Sequence, residues 1–383
     1  MKPNVRSRAF VSVGAAVAIV AAHNVQASAS GNYGPSDDAR EAKSEAEIIA
    51  DQLGIPLAEY KLEQQLIGEI GELNAAVGTQ QGMAQIWIDF EPFTVNISHT
   101  KNLGREARDR ISRFSRQDLL RFHDAKVDLN TLEEWASLIL NARDESRIHA
   151  AVSVDAIEGV IRIESNDPKA ESLTRVGGLD ASGVSVERVE GSGTSPTTWG
   201  AGTFANGCSA AFIVVNGGSY GVLGAGHAGC GGATVYTDRT STYDTSIAFS
   251  EFAGRRDVAV HKLSSGTATN TIRVPFHPGA RNITSTSSWS AMTVGQSVCK
   301  NGRASGWSCG QIVNKNISLS SPAGTNRFVE TSNTCAGGDS GGSWTSNQQA
   351  YGIQSSKFNS NDHCIFGAID YALARTDWSV RTS

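Results

Sequence analysis

All six cysteines of this 383-residue chain lie in its C-terminal half. An even number of cysteines in an exported chain predicts disulfides that brace a loop-rich fold, although sequence alone leaves their connectivity open. Nearest-neighbour pairing is the simplest arrangement. A zinc site is the competing interpretation, but no two cysteines have the close spacing of a structural zinc knuckle, so we expect no metal. The simplest pairs are Cys208 with Cys230, Cys299 with Cys309, and Cys335 with Cys364.

The first 29 residues have the pattern of an export signal. Lys2, Arg6 and Arg8 precede an apolar run over residues 10–22, and small side chains follow up to Ala29. The apolar run is too short to span a bilayer, and no later stretch is long and apolar enough to do so. We therefore predict a secreted, extracellular protein, cleaved near Ala29 and free of the membrane after its signal is removed.

Composition and charge change sharply near residue 191. Residues 1–190 carry 29 acidic and 20 basic side chains, whereas residues 191–383 carry 9 acidic and 13 basic ones. Opposite net charges favour association of the two parts, although independently solvated surfaces explain the pattern equally well. The uncharged stretch 191–198 fits an exposed connection between two domains, 30–190 and 191–383. Neither part has a basic run dense enough to predict binding to nucleic acid.

The part before this change predicts a small α/β domain. Apolar side chains recur at helical spacing over residues 37–77, with an interruption at 54–56, which indicates two helices. Residues 85–90 alternate in polarity and predict a strand. A second helical region lies within 117–143, and 152–165 has the composition of strands.

The part after the change predicts an all-β fold. Brief apolar runs such as 211–215, 258–260 and 311–313 are separated by Gly, Ser, Thr and Asn. Many short strands between turn residues are typical of a sandwich or barrel. Only the last residues, 371–378, have the pattern of a short helix.

Ser340 lies between glycines in the stretch 338–342, Gly-Asp-Ser-Gly-Gly. Glycines permit backbone conformations that a Cβ forbids, and they let a substrate carbonyl approach main-chain N–H groups closely. The stretch is therefore a candidate nucleophile site. A tight surface turn has the same composition, so the interpretation depends on a base and an acid elsewhere in the chain.

His227 is the candidate base and Asp257 the candidate acid. His227 lies among small residues directly after an apolar pair and close to Cys230, which places its ring uncovered at a strand end. Asp257 precedes an apolar run, where a carboxylate is desolvated against an imidazole N–H; Asp244 is the alternative acid. Other histidines of the C-terminal half lack such a setting, and they are His261, His277 and His363.

The order of these residues along the chain separates two hydrolase architectures. A Gly-x-Ser-x-Gly elbow also occurs in α/β-hydrolases, where the acid and then the histidine follow the serine. After Ser340 the only histidine is His363, and too little chain remains for that fold. The order His227, Asp257, Ser340 is that of the chymotrypsin-type double barrel, so an esterase of the α/β-hydrolase type is the least favoured alternative.

Four motifs together resemble the bacterial chymotrypsin-like serine proteases of the streptogrisin and α-lytic protease group. They are His227 in Gly-Ala-Gly-His, Asp257 before Val-Ala-Val, Ser340 in Gly-Asp-Ser-Gly-Gly-Ser-Trp, and the cysteine-bounded stretch 299–311. The match covers residues 204–383. The resemblance implies two six-stranded antiparallel barrels in 191–383. It also implies that 30–190 is a prosegment, which assists folding and inhibits the enzyme until it is removed.

The resemblance also implies a role for each residue in peptide-bond hydrolysis. Ser340 would form an acyl-enzyme, with His227 as general base and Asp257 fixing its tautomer. Backbone N–H groups of Gly338 and Ser340 would form the oxyanion hole. We expect no metal or organic cofactor, protein or peptide substrates, the prosegment as a partner in cis, and a monomer. The implied substrate-binding residues are Ser355, which would also bond the triad acid, Ser356 and Lys357.

The sequence departs from the group's pattern at three places. One is the short spacing between Cys335 and Gly338, where only Ala336 and Gly337 intervene. Ala228 and Gly229 separate the histidine from the next cysteine, which in the group usually follows directly. Lys300 stands where the group has an arginine that supports the aspartate before the nucleophile, so Asp339 is expected to pair with Lys300 or Arg303. Lys and Arg are not equivalent in such a setting.

Three further questions stay open at the level of sequence. Lys357 would attract an acidic substrate residue, or it is a solvated lysine at the rim of the pocket. The cleavage point of the prosegment falls between Glu187 and Trp199. A secreted, disulfide-braced binding or adhesion module that kept the motifs without activity is the non-enzymatic alternative.

Overall fold

A computed structural model of the chain describes most of the residues beyond position 42, and these fall within one compact unit, Lys43–Ser383. The predicted signal peptide, the connection 191–198 and most of the expected cleavage region lie outside the described residues. The described residues are 43–76, 82–146, 148, 150–165, 167–176, 185–189, 203–204, 206–227, 229–237, 242–254, 256–264, 268–274, 280–319, 327–358 and 361–383.

The N-terminal region, defined here as residues 43–189, combines helices with short strands. Ser44 and Glu47 form a capping box that starts the first helix, and Gly54 ends it with a φ of 68°. The break between the first two helices therefore lies where the sequence predicts it. The elements are α1 Glu45–Leu53, α2 Leu57–Ala76, β1 Met83–Asp89, β2 Thr94–His99, α3 Arg105–Arg113, β3 Leu120–Asp124, α4 Leu129–Glu145, β4 Ala151–Asp155, β5 Val160–Glu164 and β6 Ser185–Val189.

Residues 105–124 differ from the sequence-based expectation. The helix α3 has only Ala107 and Ile111 buried, so its apolar periodicity is too weak to predict it. The expected second helical region is wrong in its first part, because Leu120–Asp124 is strand β3, pairing in parallel with β2. Four of the five residues of β3 are exposed, which is why its sequence shows no strand pattern.

The core of the N-terminal region lies between α2, α4 and the sheet β1-β2-β3. The side chains packed there come from each of these elements, so the helices bury their apolar faces on one side of the sheet. Fully buried members are Ile70, Ile86, Val95, Ile97, Leu132 and Ile139.

The all-β prediction for the C-terminal half is confirmed. The expected terminal helix is shorter and earlier than predicted, because it spans Ile369–Leu373 and the last residues pair as a strand. The elements are β7 Thr203–Phe204, β8 Ile213–Asn216, β9 Ser219–Gly224, β10 Val235–Thr237, β11 Thr242–Ala253, β12 Arg256–Leu263, β13 Thr271–Arg273, β14 Ala280–Asn282, β15 Ser285–Thr286, β16 Ser297–Gly302, β17 Gly306–Ser318, β18 Phe328–Thr334, β19 Ser343–Ser346, β20 Gln349–Lys357, β21 His363–Ala368, α5 Ile369–Leu373 and β22 Ser379–Val380.

Six of these strands close into an antiparallel barrel. Strand β16 pairs with both β17 and β19, and the ring continues from β17 through β18, β21 and β20 back to β19. This ring is called the C-terminal barrel below, and it confirms one of the two predicted six-stranded barrels. Where the second barrel is expected, seven further strands form an antiparallel sheet in the order β22-β8-β9-β12-β11-β10-β7. Of the remaining strands, β13 pairs with β14, and β15 pairs in parallel with β20.

The N-terminal region packs on the C-terminal barrel and extends its sheet. At the end of β17, Ile317 and Ser318 pair with residues of β4, so that β4, β5 and β6 continue the barrel sheet. The backbone N–H of Ile88 in β1 donates to the carbonyl of Val294 at 2.8 Å. These pairings join residues more than 150 positions apart, and the sequence pattern does not predict them.

Candidate active site

Asp257 receives four hydrogen bonds at the start of β12. Its Oδ1 accepts from the backbone N–H of Gly226 at 2.7 Å and of His227 at 2.8 Å. Its Oδ2 accepts from Nδ1 of His227 at 2.6 Å and from Oγ of Ser355 at 2.5 Å. The carboxylate is buried, and these donors stabilise its charged form.

Strand pairing brings His227 to Asp257. Gly224 at the end of β9 lies opposite Ala259 in β12, so the residues that follow β9 meet the residues that begin β12. A Cβ at Gly226 would lie 2.4 Å from the carbonyl oxygen of Glu251, so this close approach requires glycine. The small residues around His227 therefore allow the turn that places its ring against the carboxylate.

The charge of Asp257 controls the protonation of His227. Burial disfavours the imidazolium, but the negative charge and the hydrogen bond of Asp257 outweigh burial and raise the pKa of His227 above its ordinary value. The bond to Nδ1 fixes the tautomer that leaves Nε2 free to accept a proton. This is the arrangement that a general base requires.

The loop that carries Ser340 has the unusual backbone that its glycines predict. Gly338 has a φ of 114° and Gly341 a φ of 88°. A Cβ at Gly341 would lie 2.2 Å from the carbonyl oxygen of Ser209 and 3.0 Å from the backbone nitrogen of Ala225. The loop therefore packs directly against the segment that leads to His227.

The hydroxyl of Ser340 is buried, and within the described part of the chain its Oγ makes no hydrogen bond. Nε2 of His227 lies 3.5 Å from Sγ of Cys230. The structure thus joins Asp257, His227 and Ser355 by hydrogen bonds and brings the loop of Ser340 next to them, without a bond between Ser340 and His227. Such bonds are often long in a free enzyme and form when substrate binds.

Asp339 is surrounded by five donors. Its Oδ2 accepts from Nζ of Lys300 at 3.1 Å, from the backbone N–H of Ala336 at 3.1 Å and from Oγ of Ser305. Its Oδ1 accepts from the N–H groups of Ala304 at 3.1 Å and Ser305 at 3.0 Å. Asp339 therefore fixes the loop that carries Ser340 rather than orienting His227.

Of the two cations expected beside Asp339, the ion pair in the structure is formed by Lys300. Both side chains of this pair are almost completely buried. Burial lowers the pKa of Lys300, and the charge and hydrogen bond of Asp339 oppose that effect. A single ammonium stands where the resemblance implies an arginine, and the hydroxyl and backbone N–H of Ser305 also donate to the carboxylate.

The three residues expected to bind substrate follow one another in β20. Ser355 contacts Asp257, as the resemblance implies, and the carbonyl of Ser356 accepts from Nε2 of Gln354 at 2.6 Å. Nζ of Lys357 pairs with Asp362, which lowers the attraction that this lysine exerts on an acidic substrate residue. The ion pair favours the solvated-rim interpretation of Lys357.

The structure pairs neighbouring cysteines, as Cys208–Cys230, Cys299–Cys309 and Cys335–Cys364. Among the described residues, no cluster of His, Cys, Asp and Glu has the geometry of a metal site. In the same part of the chain, none of the helices is long and apolar enough to cross a membrane.

One residue beside the site, Ser209, is absent from the sequence-based candidates. Its hydroxyl donates to the carbonyl of Asp339 in the Ser340 loop at 3.0 Å, although the two residues are 130 positions apart. Its position after Cys208 is the only signal that the sequence offers. In the neighbouring strands β19 and β20, Gln354 accepts from the indole N–H of Trp344 at 2.9 Å.

Two known proteins resemble this chain over more than half of its length. Streptogrisin-C from Streptomyces griseus is 32% identical over 228 residues, which cover 57% of this chain and 48% of that protein. Serine protease 1 from Rarobacter faecitabidus is 28% identical over 265 residues, covering 67% and 49% of the two chains. The chain resembles the streptogrisin and α-lytic protease group, as its motifs predict.

The streptogrisin-like chain spans about half the length of the curated relatives it matches. No family model matches it. Among solved structures, Thermobifida fusca Protease A is 29% identical, and the match covers 46% of this chain and 92% of that one with a TM-score of 0.39.

Proposed function

We propose that this protein is a secreted serine endopeptidase, made as a zymogen with a removable prosegment. The observation that carries the proposal is the bond between Nδ1 of His227 and Asp257, with Ser340 on an adjacent glycine loop and the three residues in the chain order His, Asp, Ser. The related proteases named above support the same class of reaction. A binding module has no need of a buried carboxylate that orients an imidazole.

The proposed mechanism is acyl transfer from a peptide to water. Nε2 of His227 takes the proton of Ser340 as its Oγ attacks the peptide carbonyl, and the same proton then passes to the leaving amine. Asp257 stabilises the imidazolium formed in this step, which agrees with the raised pKa of His227. The N–H groups of Gly338 and Ser340 stabilise the oxyanion, and water then releases the acyl group by the reverse sequence.

The N-terminal region has the role of the prosegment in this proposal. Glu45 of α1 pairs with Arg281, and Glu133 of α4 pairs with Arg327 at 2.7 Å, so acidic side chains of this region contact basic ones of the C-terminal half. Charge complementarity of this kind supports binding in cis before cleavage and in trans after it. Removal then requires cleavage in the segment between Glu187 and Trp199.

The proposed activity is tested by covalent labelling. Purified protein with native disulfides and without its prosegment should react with a fluorophosphonate at Ser340, identified by peptide mass spectrometry. The Ser340→Ala variant is the matched control and should not be labelled. Absence of label on the folded wild-type protein would exclude the hydrolase and favour the binding module.

Self-processing is tested by the same variant during secretion. If maturation is autocatalytic, Ser340→Ala should accumulate at the length of the unprocessed chain, whereas wild type is shortened. Normal shortening of the variant would assign the cleavage to another protease and leave the proposed activity intact.

A further inference from the structure

Ser209 contacts the nucleophile loop through both its side chain and its backbone. The residue is fully buried in the segment between β7 and β8. Its hydroxyl donates to the carbonyl of Asp339 at 3.0 Å and lies 3.4 Å from the carbonyl of Gly338. Its backbone N–H donates to the carbonyl of Ser340 at 2.7 Å. A single residue therefore contacts three consecutive carbonyl oxygens of the loop.

These contacts fix the direction of the peptide between Asp339 and Ser340. In a trans peptide, the carbonyl and the N–H point in opposite directions. The carbonyl of Asp339 is held by the Ser209 hydroxyl and by the N–H of Gly342 at 2.9 Å. The N–H of Ser340 must therefore point within the peptide plane in the direction opposite to that carbonyl, which is the direction proposed for the oxyanion hole.

The next peptide is held in the same way. The carbonyl of Ser340 accepts from the N–H of Ser209, and the N–H of Gly341 donates to the carbonyl of Gln354 at 2.8 Å. Both ends of this peptide are occupied, so it cannot rotate without breaking two hydrogen bonds. The direction of the Ser340 N–H is thus fixed by contacts to its own peptide and to the peptide that follows it.

We propose that Ser209 is a positioning residue that orients the oxyanion donor of Ser340. This role rests on the proposed function, since an oxyanion forms only if Ser340 attacks a carbonyl. Asp339 fixes the loop from the side of the C-terminal barrel through Lys300 and Ser305, and Ser209 fixes it from the other side. A preorganised donor stabilises the transition state because it needs no rearrangement during the reaction.

The same segment also connects the loop to the histidine. Cys208, which precedes Ser209, is bonded to Cys230, and the N–H of Cys230 donates to the carbonyl of His227 at 3.0 Å. A short path of covalent and hydrogen bonds therefore runs from His227 to Ser340 through Ser209. This path sets the spacing between base and nucleophile together with the direction of the oxyanion donor.

The test compares Ser209→Ala with wild type on a peptide p-nitroanilide. Outright loss of an oxyanion donor costs about 10²–10³ in kcat, and a misdirected donor should cost less, so we expect kcat to fall about ten- to a hundred-fold with little change in KM. A peptide boronate of the same sequence should bind more weakly by the same factor as the loss in kcat/KM, because it mimics the tetrahedral intermediate. Rates are expressed per site titrated with fluorophosphonate, so that unfolded protein does not count.

Thr245→Val is the matched control. Thr245 lies in β11 and donates from its buried hydroxyl to the carbonyl of Ala233 at 3.3 Å, away from the nucleophile loop. This variant also loses one buried hydroxyl bond to a carbonyl, and its kcat and boronate affinity should stay within about two-fold of wild type. If Ser209→Ala gives no folded protein, Ser209→Thr and Ser209→Val are compared, since they differ by the hydroxyl alone, and the Thr variant should have the higher kcat.

The outcomes separate the two proposals. An active wild type with unchanged kcat in Ser209→Ala, or equal kcat in the Thr and Val variants, would overturn the role of Ser209 and leave the proposed function standing. A folded wild type that neither hydrolyses the peptide nor takes up the fluorophosphonate would overturn the proposed function itself. A rise in KM with kcat unchanged would assign Ser209 to substrate binding and would overturn its role in positioning the oxyanion donor.

Discussion

Buried carboxylates in the candidate active site accept more hydrogen bonds than the buried carboxylate at the contact between the N-terminal region and the C-terminal barrel. Asp257 receives four donors, and Asp339 receives five. Glu63 of α2, which is equally buried at the contact, accepts from the backbone N–H of Ser297 at 2.6 Å. Its Oε2 has no hydrogen-bond partner among the described residues.

Because Glu63 and Lys315 are buried at the contact with few hydrogen-bond partners, their pKa values shift toward neutrality. Burial raises the pKa of Glu63 from its ordinary 4.5 to about 7. Burial also lowers the pKa of Lys315 in β17 to about 7. Its Nζ donates to the carbonyls of Ser290 and Met292 and lies 4.3 Å from the ring centre of Trp289. Near neutral pH, burial therefore makes the charged forms of Glu63 and Lys315 costly at the contact. A contact of this kind is compatible with the proposed removal of the N-terminal region.

The largest effect is expected from Asp257→Asn. An amide cannot accept at both positions, and it permits the wrong imidazole tautomer, so kcat should fall about 10⁴-fold on a peptide substrate. Asp244→Asn is the matched control, because Asp244 is the alternative acid and is exposed in β11. If Asp244→Asn lost activity and Asp257→Asn kept it, the candidate site would be misassigned.

Lys300→Met should produce the next largest effect, on stability. The substitution leaves the carboxylate of Asp339 buried without its cation, which costs about 3–5 kcal/mol in the free energy of unfolding. Denaturant unfolding in the Ser340→Ala background measures this without self-processing. Lys357→Met is the control, because the pair with Asp362 is partly exposed and should contribute less than about 1 kcal/mol.

Equal, small losses in the free energy of unfolding of the Lys300 and Lys357 variants would contradict the expected difference between a buried and an exposed ion pair. They would mean that the serine and backbone donors around Asp339 are sufficient without Lys300. Lys300→Arg adds a further test, since a guanidinium at this position must share its site with Ser305.

The candidate site could be predicted from sequence because each of its residues lies in a recognisable local sequence pattern. Ser340 lies between glycines, His227 among small residues, and Asp257 at the head of an apolar strand. The same holds for the break at Gly54, where the local preference for positive φ agrees with the fold. Glycine patterns and strand heads are short-range features, and these are the ones that one sequence reveals.

The rest depends on contacts between distant residues. Glu63 sits on a helix whose pattern shows only alternating charged and apolar positions, and nothing local indicates that it faces Ser297. The pairing of β4 with β17 follows from docking of two regions rather than from either strand's composition. Ser209 acquires its contacts only when two parts of the C-terminal half meet.

Glu63→Gln should change the pH dependence of unfolding. The folded chain binds a proton at Glu63 that the unfolded chain releases between pH 4.5 and about 7, so stability should fall as pH rises through this window. The expected loss is about 3 kcal/mol by pH 7, and the variant should lack this component. Unfolding of the Ser340→Ala chain is measured at pH 5 and pH 7.

The titratable side chains that face Glu63 are Tyr60 and Tyr351, and burial raises the pKa of both above 10, outside this window. Glu72→Gln on the same helix is the matched control, because Glu72 is exposed. An unchanged slope between pH 5 and 7 in the Glu63 variant would show that Glu63 does not control the contact.

The smallest effect is expected from the ion pair of Glu133 and Arg327. The pair is bidentate, at 2.7 Å and 2.9 Å, and Arg327 also lies 4.2 Å from the ring centre of Trp289. Both side chains are still about a quarter exposed, so solvent screens the attraction. A double-mutant cycle with Glu133→Gln and Arg327→Met should give a coupling of about 1 kcal/mol that decreases with salt.

This double-mutant cycle measures the attraction between two partly exposed charges at the contact. It thereby separates that attraction from the free-energy cost of burying the charges of Glu63 and Lys315. A coupling above about 3 kcal/mol, insensitive to salt, would mean that the contact is held by a buried network like that of Asp339. The pair of Glu106 and Arg110, exposed on α3, is the control and should couple by less than about 0.5 kcal/mol. A salt-sensitive coupling energy between these limits would mean that apolar packing and strand pairing are the main attraction between the N-terminal region and the C-terminal barrel. The ion pair would then add only a small, screened contribution, and raising the pH toward neutral would weaken the contact through Glu63.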